Sequence, residues 1–426
     1  MANEERPEKG PVPLPGDPKP EPGDIPEPQP GEPLPPQGGV IREGSDQPEP
    51  QPVMVHVPDI PLPTAAMQIK EVVDEFEGAF RLAVIGAGQG GSRLAETFWN
   101  LGYRRVCILN TAAQDMAAIR MPEERKLLIG ETGAAKDIAF AQKLAESRYE
   151  DILDFMRRGF EGGYDRILIC IGAGGGTGAG TVGTLVRVAQ DLNESLDVGE
   201  GKVGVLVALP TKAEGRRVNA NAHATVSHLL GSDSMAMVSP LIILDNQRIK
   251  EIYPGLTVEK FWRTANQSVC SLFHLFNTIA VADSPYTSFD RADLEAVLAS
   301  GIIAFGATPV DQWADATDVS YAIRDNLRRN ILAGGMDLSK GSVAGCVVIG
   351  SPAVLKEIPQ EHLEHGFEQL SRIMGLGSTV HRGIYQGDRE GLVVYTMIGG
   401  LEAPVERLQE MAKLGNVVKM VDKPDE

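Results

Sequence analysis

The sequence predicts an α/β protein built on a doubly wound parallel sheet, and three observations carry that expectation. From Arg81 onward short apolar runs alternate with stretches of helical apolar spacing, most runs stop at glycine or a small or polar residue, and two of those stops open glycine-rich turns. The expected strands are Leu82–Ile85, Val106–Leu109, Arg166–Ile171, Val203–Leu209 and Leu241–Leu244. Between them Ser92–Leu101, Asp137–Arg158, Gly178–Leu192 and Arg216–Leu230 have the apolar periodicity of helices. In such a sheet ligands sit beyond the carboxyl ends of the strands, so the chemistry belongs in the loops there.

Composition sets the frame for that sheet. A chain of 426 residues, 42% of them apolar, supports about two domains with real cores. Of 29 prolines, 19 fall in residues 1–65, together with 12 acidic and 4 basic residues. That segment is expected to be a disordered, acidic, proline-rich arm that builds no core. Folding is expected to begin near Ala65, with helical spacing over Met67–Phe76. A net charge of −18 disfavours a nucleic-acid role, because phosphate contacts need clustered Lys and Arg. No run of 18 apolar residues and no signal-peptide pattern appears, so a membrane span is not expected and the cytoplasm is the expected location. Cys107, Cys170, Cys270 and Cys346 stand far apart in apolar surroundings, as reduced core residues do.

The run Gly172-Ala-Gly-Gly-Gly-Thr-Gly-Ala-Gly180 lies between a buried strand and a helix. Six glycines in nine positions are entropically costly, so packing alone is a poor explanation. Backbone N–H groups freed of side chains can close around phosphate oxygens, with Thr177 as a hydroxyl donor and the helix N-terminus adding positive potential. No GxxxxGK[ST] motif occurs, so this is not an ordinary P-loop. The first strand ends in Gly86-Ala-Gly-Gln-Gly-Gly91, formally G-x-G-x-x-G. A dinucleotide-dependent Rossmann enzyme would want an acid at the end of the second strand for the ribose hydroxyls, where this chain has Asn110. Two glycine loops in one sheet suit a nucleotide with several phosphates better than NAD.

At these residues the chain resembles the tubulin/FtsZ superfamily, whose signature GGGTG is matched by Gly174-Gly-Gly-Thr-Gly178. Ala87-Gly-Gln-Gly-Gly91 followed by Phe98-Trp99 is similar to the first nucleotide loop of tubulins and archaeal CetZ proteins, and Asn110-Thr-Ala-Ala-Gln114 to the FtsZ second loop, with Ala112 where an aspartate is usual. The resemblance implies a Rossmann-like GTP-binding domain over 66–256, a long central helix over 257–283, an activation loop with an α+β domain on a four-stranded sheet over 284–400, and a short tail over 401–426. It places Gly88, Gln89, Gly90, Gly174, Gly175, Gly176, Thr177 and Gly178 at the phosphates. Glu214 and Asn266 are implied for ribose and guanine, Asn246 for a polar contact near the nucleotide, and Arg217 as a stand-in for an arginine that Val218 replaces. An asparagine amide offers donor and acceptor together, which suits the mixed edge of guanine.

Asp290 and Asp293, in Thr287-Ser-Phe-Asp-Arg-Ala-Asp293, match the family's catalytic loop. Read locally they are an N-cap and a first-turn acid, a reading compatible with catalysis. The resemblance implies that this loop enters the next subunit's nucleotide site, where the carboxylates orient the attacking water and Mg²⁺ offsets phosphate charge. The implied function is a GTPase that assembles head to tail into filaments and turns GTP into GDP at the contact between copies. The alternatives are a family member that binds GTP and hydrolyses little, acting as a scaffold or filament partner, and, further off, the NAD enzyme. The expected partner is the chain itself; a protein partner for the proline-rich arm is left open.

Toward the C-terminus Ile302–Phe305, Ser342–Ile349, Ser378–Ile384 and Leu392–Ile398 are strand-like, with helices near Asp318–Ile331 and Gln360–Met374. His362 and His365 share a helical spacing without a third ligand and are expected on a solvated face. Val405–Leu414 has the pattern of one amphipathic helix.

Overall fold

The computed structural model of the chain describes residues 75–198 and 203–417. The proline-rich arm, most of the helix expected at Met67–Phe76 and the end of the tail lie outside the described residues. Six parallel strands form the first part of the sheet: β1 (Leu82–Ala87), β2 (Val106–Asn110), β3 (Lys126–Leu128), β4 (Arg166–Gly172), β5 (Val203–Leu209) and β6 (Val238–Asp245). Their order is β3-β2-β1-β4-β5-β6, so the winding reverses between β1 and β4. The apolar runs are continuous because both faces are covered. Ala83, Ile85 and Ala87 pack on one side with helices Thr177–Ser195 and Arg216–Leu229, whereas Leu82 and Val84 pack on the other with Gly88–Asn100 and the central helix Val258–Ile279.

The sheet continues through β7 (Ile302–Val310), to which β10 (Leu392–Leu401), β8 (Val343–Gly350) and β9 (Thr379–Gln386) are added in the order β7-β10-β8-β9. These are the four strands expected of the second α+β part. They join β6 through only Leu241–Ile302 and Ile242–Ile303. The single helix expected over Asp137–Arg158 is two, Ile138–Ser147 and Tyr149–Gly159. Its apolar period runs through the break, but Ala141 packs against Gly180 while Ile152, Phe155 and Met156 turn into the core, and one straight rod cannot do both. All four cysteines are free and buried; burial pushes the Cys107 thiol up to about 11 and the Cys346 thiol to about 12.

The tail expected from Leu401 begins with a docked helix, Val405–Gly415, packed on Arg216–Leu229. Arg407 is its anchor. With side chains 3% and 2% exposed, Arg407 and Asp245 pair through Nε–Oδ2 at 2.9 Å, and Arg407 Nη2 donates to the Pro210 carbonyl at 2.5 Å. Removing one partner of such a pair strands the other charge in the core. Arg407→Ala is therefore expected to cost about 3–5 kcal/mol, read as a lowered urea midpoint with an unchanged slope. The exposed neighbour Glu406→Ala should leave the midpoint within about 0.5 kcal/mol.

Candidate functional site

β1 and β4 are neighbours in register from Leu82–Arg166 to Ala87–Ile171, so their two glycine loops emerge side by side at the strand-order reversal. Gly88 opens its helix at φ +69, a conformation that side chains resist, and a Cβ there would lie 2.9 Å from the Gly178 nitrogen. A Cβ on Gly178 would in turn meet the Ala87 carbonyl at 2.9 Å. The two loops thus approach too closely for a side chain on either glycine. Gly88, Gly174, Gly176, Thr177 and Gly178 are buried, while Gln89, Gly90 and Gly175 face outward.

Helix Arg216–Leu229 holds the second loop from behind. Thr225 Oγ1 lies 3.1 Å from the Ala173 carbonyl and 2.8 Å from that of Asn221, sharing its one hydrogen between them, and Asn221 Nδ2 donates to the carbonyls of Gly174 at 3.3 Å and Lys136 at 3.0 Å. In a planar trans peptide the N–H opposes the C=O, so the N–H groups of Gly174 and Gly175 point away from that helix, free to receive an anion beside the N-terminus of Thr177–Ser195. Val218 packs against Gly174. Thr177 Oγ1 shares a 2.7 Å hydrogen bond with Thr111 Oγ1 from the end of β2. Asn110 accepts N–H groups from Thr111 at 2.8 Å and Ala112 at 3.3 Å, so it shapes its own turn. A third wall comes from residues 130–137, where Gly133 N–H donates to the Thr111 carbonyl at 2.8 Å and Ala134 and Lys136 abut Gly176. Thr111, Asn221, Thr225 and this loop were not singled out from sequence.

The expected sugar and base contacts also lie toward the carboxyl edge. Glu214 is exposed in the turn after β5, its carboxylate accepting the Thr211 N–H at 2.7 Å, and Arg217 is exposed in the first turn of the next helix. Asn246 is buried directly after β6. Asn266 is half-buried on the central helix, which runs parallel to Gly88–Asn100: Cys270 meets Leu94, and Phe273 meets Phe98. One turn before Cys270, Asn266 comes level with Gly90.

Asp290 and Asp293 lie at the other edge. They cap helix Arg291–Leu298 reciprocally, Asp293 N–H on Asp290 Oδ1 at 2.9 Å and Asp290 N–H on Asp293 Oδ2 at 3.1 Å. Arg291 donates to the Ala79 carbonyl at 2.7 Å and stacks on Phe80 at 4.5 Å, and Glu295 pairs with Arg166, which fixes the helix at the amino ends of β1 and β4. Asp165 beside them is held below the ordinary carboxylate range: desolvation opposes this, but hydrogen bonds from Arg81 and the charges of Arg81 and Arg291 outweigh it. Tyr385 of β9 accepts the Phe289 N–H at 2.8 Å and approaches the Ile279 carbonyl at 3.1 Å, closing the loop between the central helix and the acids. Desolvation, opposed by that N–H and reinforced by the charges of Asp293 and Asp290, pushes its phenol up to about 12. The length of β4, seven residues, separates the acids from the glycine loops, about 20 Å at a strand's rise. One chain does not bring its two sets of site residues together.

His365 is exposed, as expected, but His362 is buried, its Nδ1 3.0 Å from the Trp313 carbonyl, which corrects the expectation for that member of the pair: its side of helix Gln360–Met374 faces the core. Among the described residues no cluster of His, Cys, Asp and Glu could hold a metal, and no helix is long and apolar enough to cross a membrane.

Comparison with known proteins agrees with this geometry. Residues 81–254, which contain both glycine loops, match the model of the Tubulin/FtsZ family, GTPase domain. A tubulin-like protein CetZ of Pyrococcus horikoshii is 30% identical over 335 residues, covering 75% of this chain and 86% of its own length. Among solved structures, TubZ of Bacillus thuringiensis serovar israelensis, in a GTPγS-form protofilament, superposes with a TM-score of 0.69 at 21% identity, covering 81% of this chain and 92% of that one. CetZ2 of Haloferax volcanii, in a GTPγS-bound protofilament, gives 0.63 at 22% identity over 79% of this chain and 98% of that one. With twin backbone cradles at the β1/β4 reversal and a relative matched over most of its length, this chain belongs to the tubulin/FtsZ family.

Proposed function

We propose that the protein is a cytoplasmic cytoskeletal GTPase that assembles head to tail, each subunit binding GTP in the glycine loops and completing its neighbour's hydrolytic centre with Asp290 and Asp293. The observation that carries this reading is the placement of cradle and acids at opposite edges of one sheet. A repeated translation along the strands brings the acids of one copy onto the nucleotide of the next, and a head-to-tail contact that does not close makes a filament.

Each group then has a defined task. The N–H groups of the Gly174–Gly178 loop and the Thr177 hydroxyl hold phosphate oxygens, while Asn266, Asn246, Glu214 and Arg217 line the path to ribose and base. The neighbour's carboxylates hold the water in line with the γ-phosphate, and positioning is most of what phosphoryl transfer requires. The cradle fits a triphosphate, because its glycines leave backbone N–H groups bare of side chains, and at Gly174, Gly176 and Gly178 a Cβ would collide with the surrounding protein. Mg²⁺ would be held largely by the phosphates, since the described residues offer no cluster of three or more His, Cys, Asp or Glu. It would offset phosphate charge.

The test is light scattering combined with phosphate release after GTP addition. GTPase rate per subunit is expected to rise steeply above a threshold protein concentration, together with scattering. A rate per subunit that is constant across that range would overturn assembly-coupled hydrolysis. Scattering that rises without phosphate release would select the scaffold reading, which Ala112 and Val218 at the loops would then explain.

A further inference from the structure

We propose that His381 of β9 is a positioning residue for hydrolysis, fixing the Asp293 carboxylate from the C-terminal part of the sheet; this rests on the role proposed above for the two acids. His381 Nδ1 lies 2.5 Å from Asp293 Oδ1. An ionised carboxylate only accepts, so Nδ1 carries the hydrogen. The other oxygen, Oδ2, takes the Asp290 N–H at 3.1 Å. One donor would leave the carboxylate free to turn about its bond to the helix. Two donors on different oxygens, one from backbone and one from a ring on another element, set its plane.

The ring itself is rigidly placed. β9 is paired with β8 along its whole length, from Val343–Thr379 to Gly350–Gln386. On the same face of β9 as His381, Gly383 leaves room for Phe289, and Tyr385 takes the Phe289 N–H. This strand face is the bed of the acid-bearing loop, and His381 is the residue of that face that reaches a carboxylate. A helix-capping acid needs no such partner: the backbone N–H already satisfies the cap. The contact is also partly exposed, at 22% and 25%, where a side-chain contact of this kind adds little to stability. A contact this directional at this place is explained by orientation of the acid.

The experiment uses the full-length protein with GTP at saturating protein concentration and compares His381→Asn, whose amide can place an N–H where Nδ1 stands, with His381→Gln, whose amide falls nearer Nε2. His381→Gln is expected to lower kcat about ten-fold, the loss typical of an outer-shell partner, with KM and the threshold for assembly within about two-fold. His381→Asn should keep kcat within about three-fold of the unaltered protein. In an Asp293→Asn background, His381→Gln should add nothing. The inference is overturned if both His381 variants hydrolyse at the unaltered rate, if both are equally slow, or if the threshold for assembly moves as far as kcat. Asp293→Ala run beside them separates the two claims. An unchanged rate there removes the acid reading itself, whereas a dead Asp293→Ala with fully active His381→Gln removes only the role of His381.

Discussion

Asp290→Ala and Asp293→Ala are each expected to lower GTP hydrolysis at least 100-fold while leaving nucleotide bound and filaments formed. The acids sit about 20 Å from their own chain's glycine loops, so neither change reaches the cradle proposed for GTP. The loop also keeps its fold, because Tyr385 holds Phe289 and Arg291 holds the Ala79 carbonyl without them. The cap is lost, costing about 1 kcal/mol, a local loosening that a core of this size tolerates. What disappears is the orientation of the attacking water, worth about 3 kcal/mol or more in the barrier, and each 1.36 kcal/mol is tenfold in rate. Filaments of either variant should therefore persist after GTP addition where those of the unaltered protein turn over. Sedimentation paired with phosphate release reads both quantities; normal phosphate release from either variant would refute the assignment.

The parts of this site that sequence reveals are those whose constraint is local. A strand that stops in glycines before a helix is visible as a pattern, because the turn and the close approach of Gly88 and Gly178 exclude side chains whatever lies elsewhere. The proposed catalytic acids stand out only through the resemblance, since a cap and a first-turn carboxylate three residues apart are a pattern that many helices carry. Asn221 and Thr225 do not stand out: two polar residues on a helix look solvated until the fold shows them behind the Ala173 and Gly174 carbonyls. His381 is a lone histidine in a strand, and its partner is 88 residues away in sequence. Arg407 looks like one more charge on an amphipathic tail helix, and only the distant Asp245 makes it a core residue. β3 is three residues long at a sheet edge, too short for its alternation to register. What escapes sequence reading is long-range pairing, as expected where tertiary contacts override local pattern.

The proposed completion of one subunit's site by another has a sharper consequence: two inactive variants should restore each other. Gly175→Asp is the complement to Asp293→Ala. Gly175 is exposed, has no positive φ, and a Cβ there would meet nothing nearer than the Gly172 carbonyl at 3.9 Å, so the fold accommodates the change. Its carboxylate would stand where phosphates bind. Like charges about 4 Å apart near a protein surface repel by about 4 kcal/mol, so GTP affinity should fall at least 100-fold. Gly175→Asp then has acids without nucleotide, and Asp293→Ala has nucleotide without a working pair of acids. In an equimolar mixture with random head-to-tail order, about a quarter of contacts place the nucleotide of an Asp293→Ala subunit against the intact acids of a Gly175→Asp subunit. Hydrolysis should reappear in the mixture at up to about that fraction of the unaltered rate, with neither variant active alone. Mixed filaments that contain both variants by sedimentation and still release no phosphate would show that a subunit's acids do not serve its neighbour.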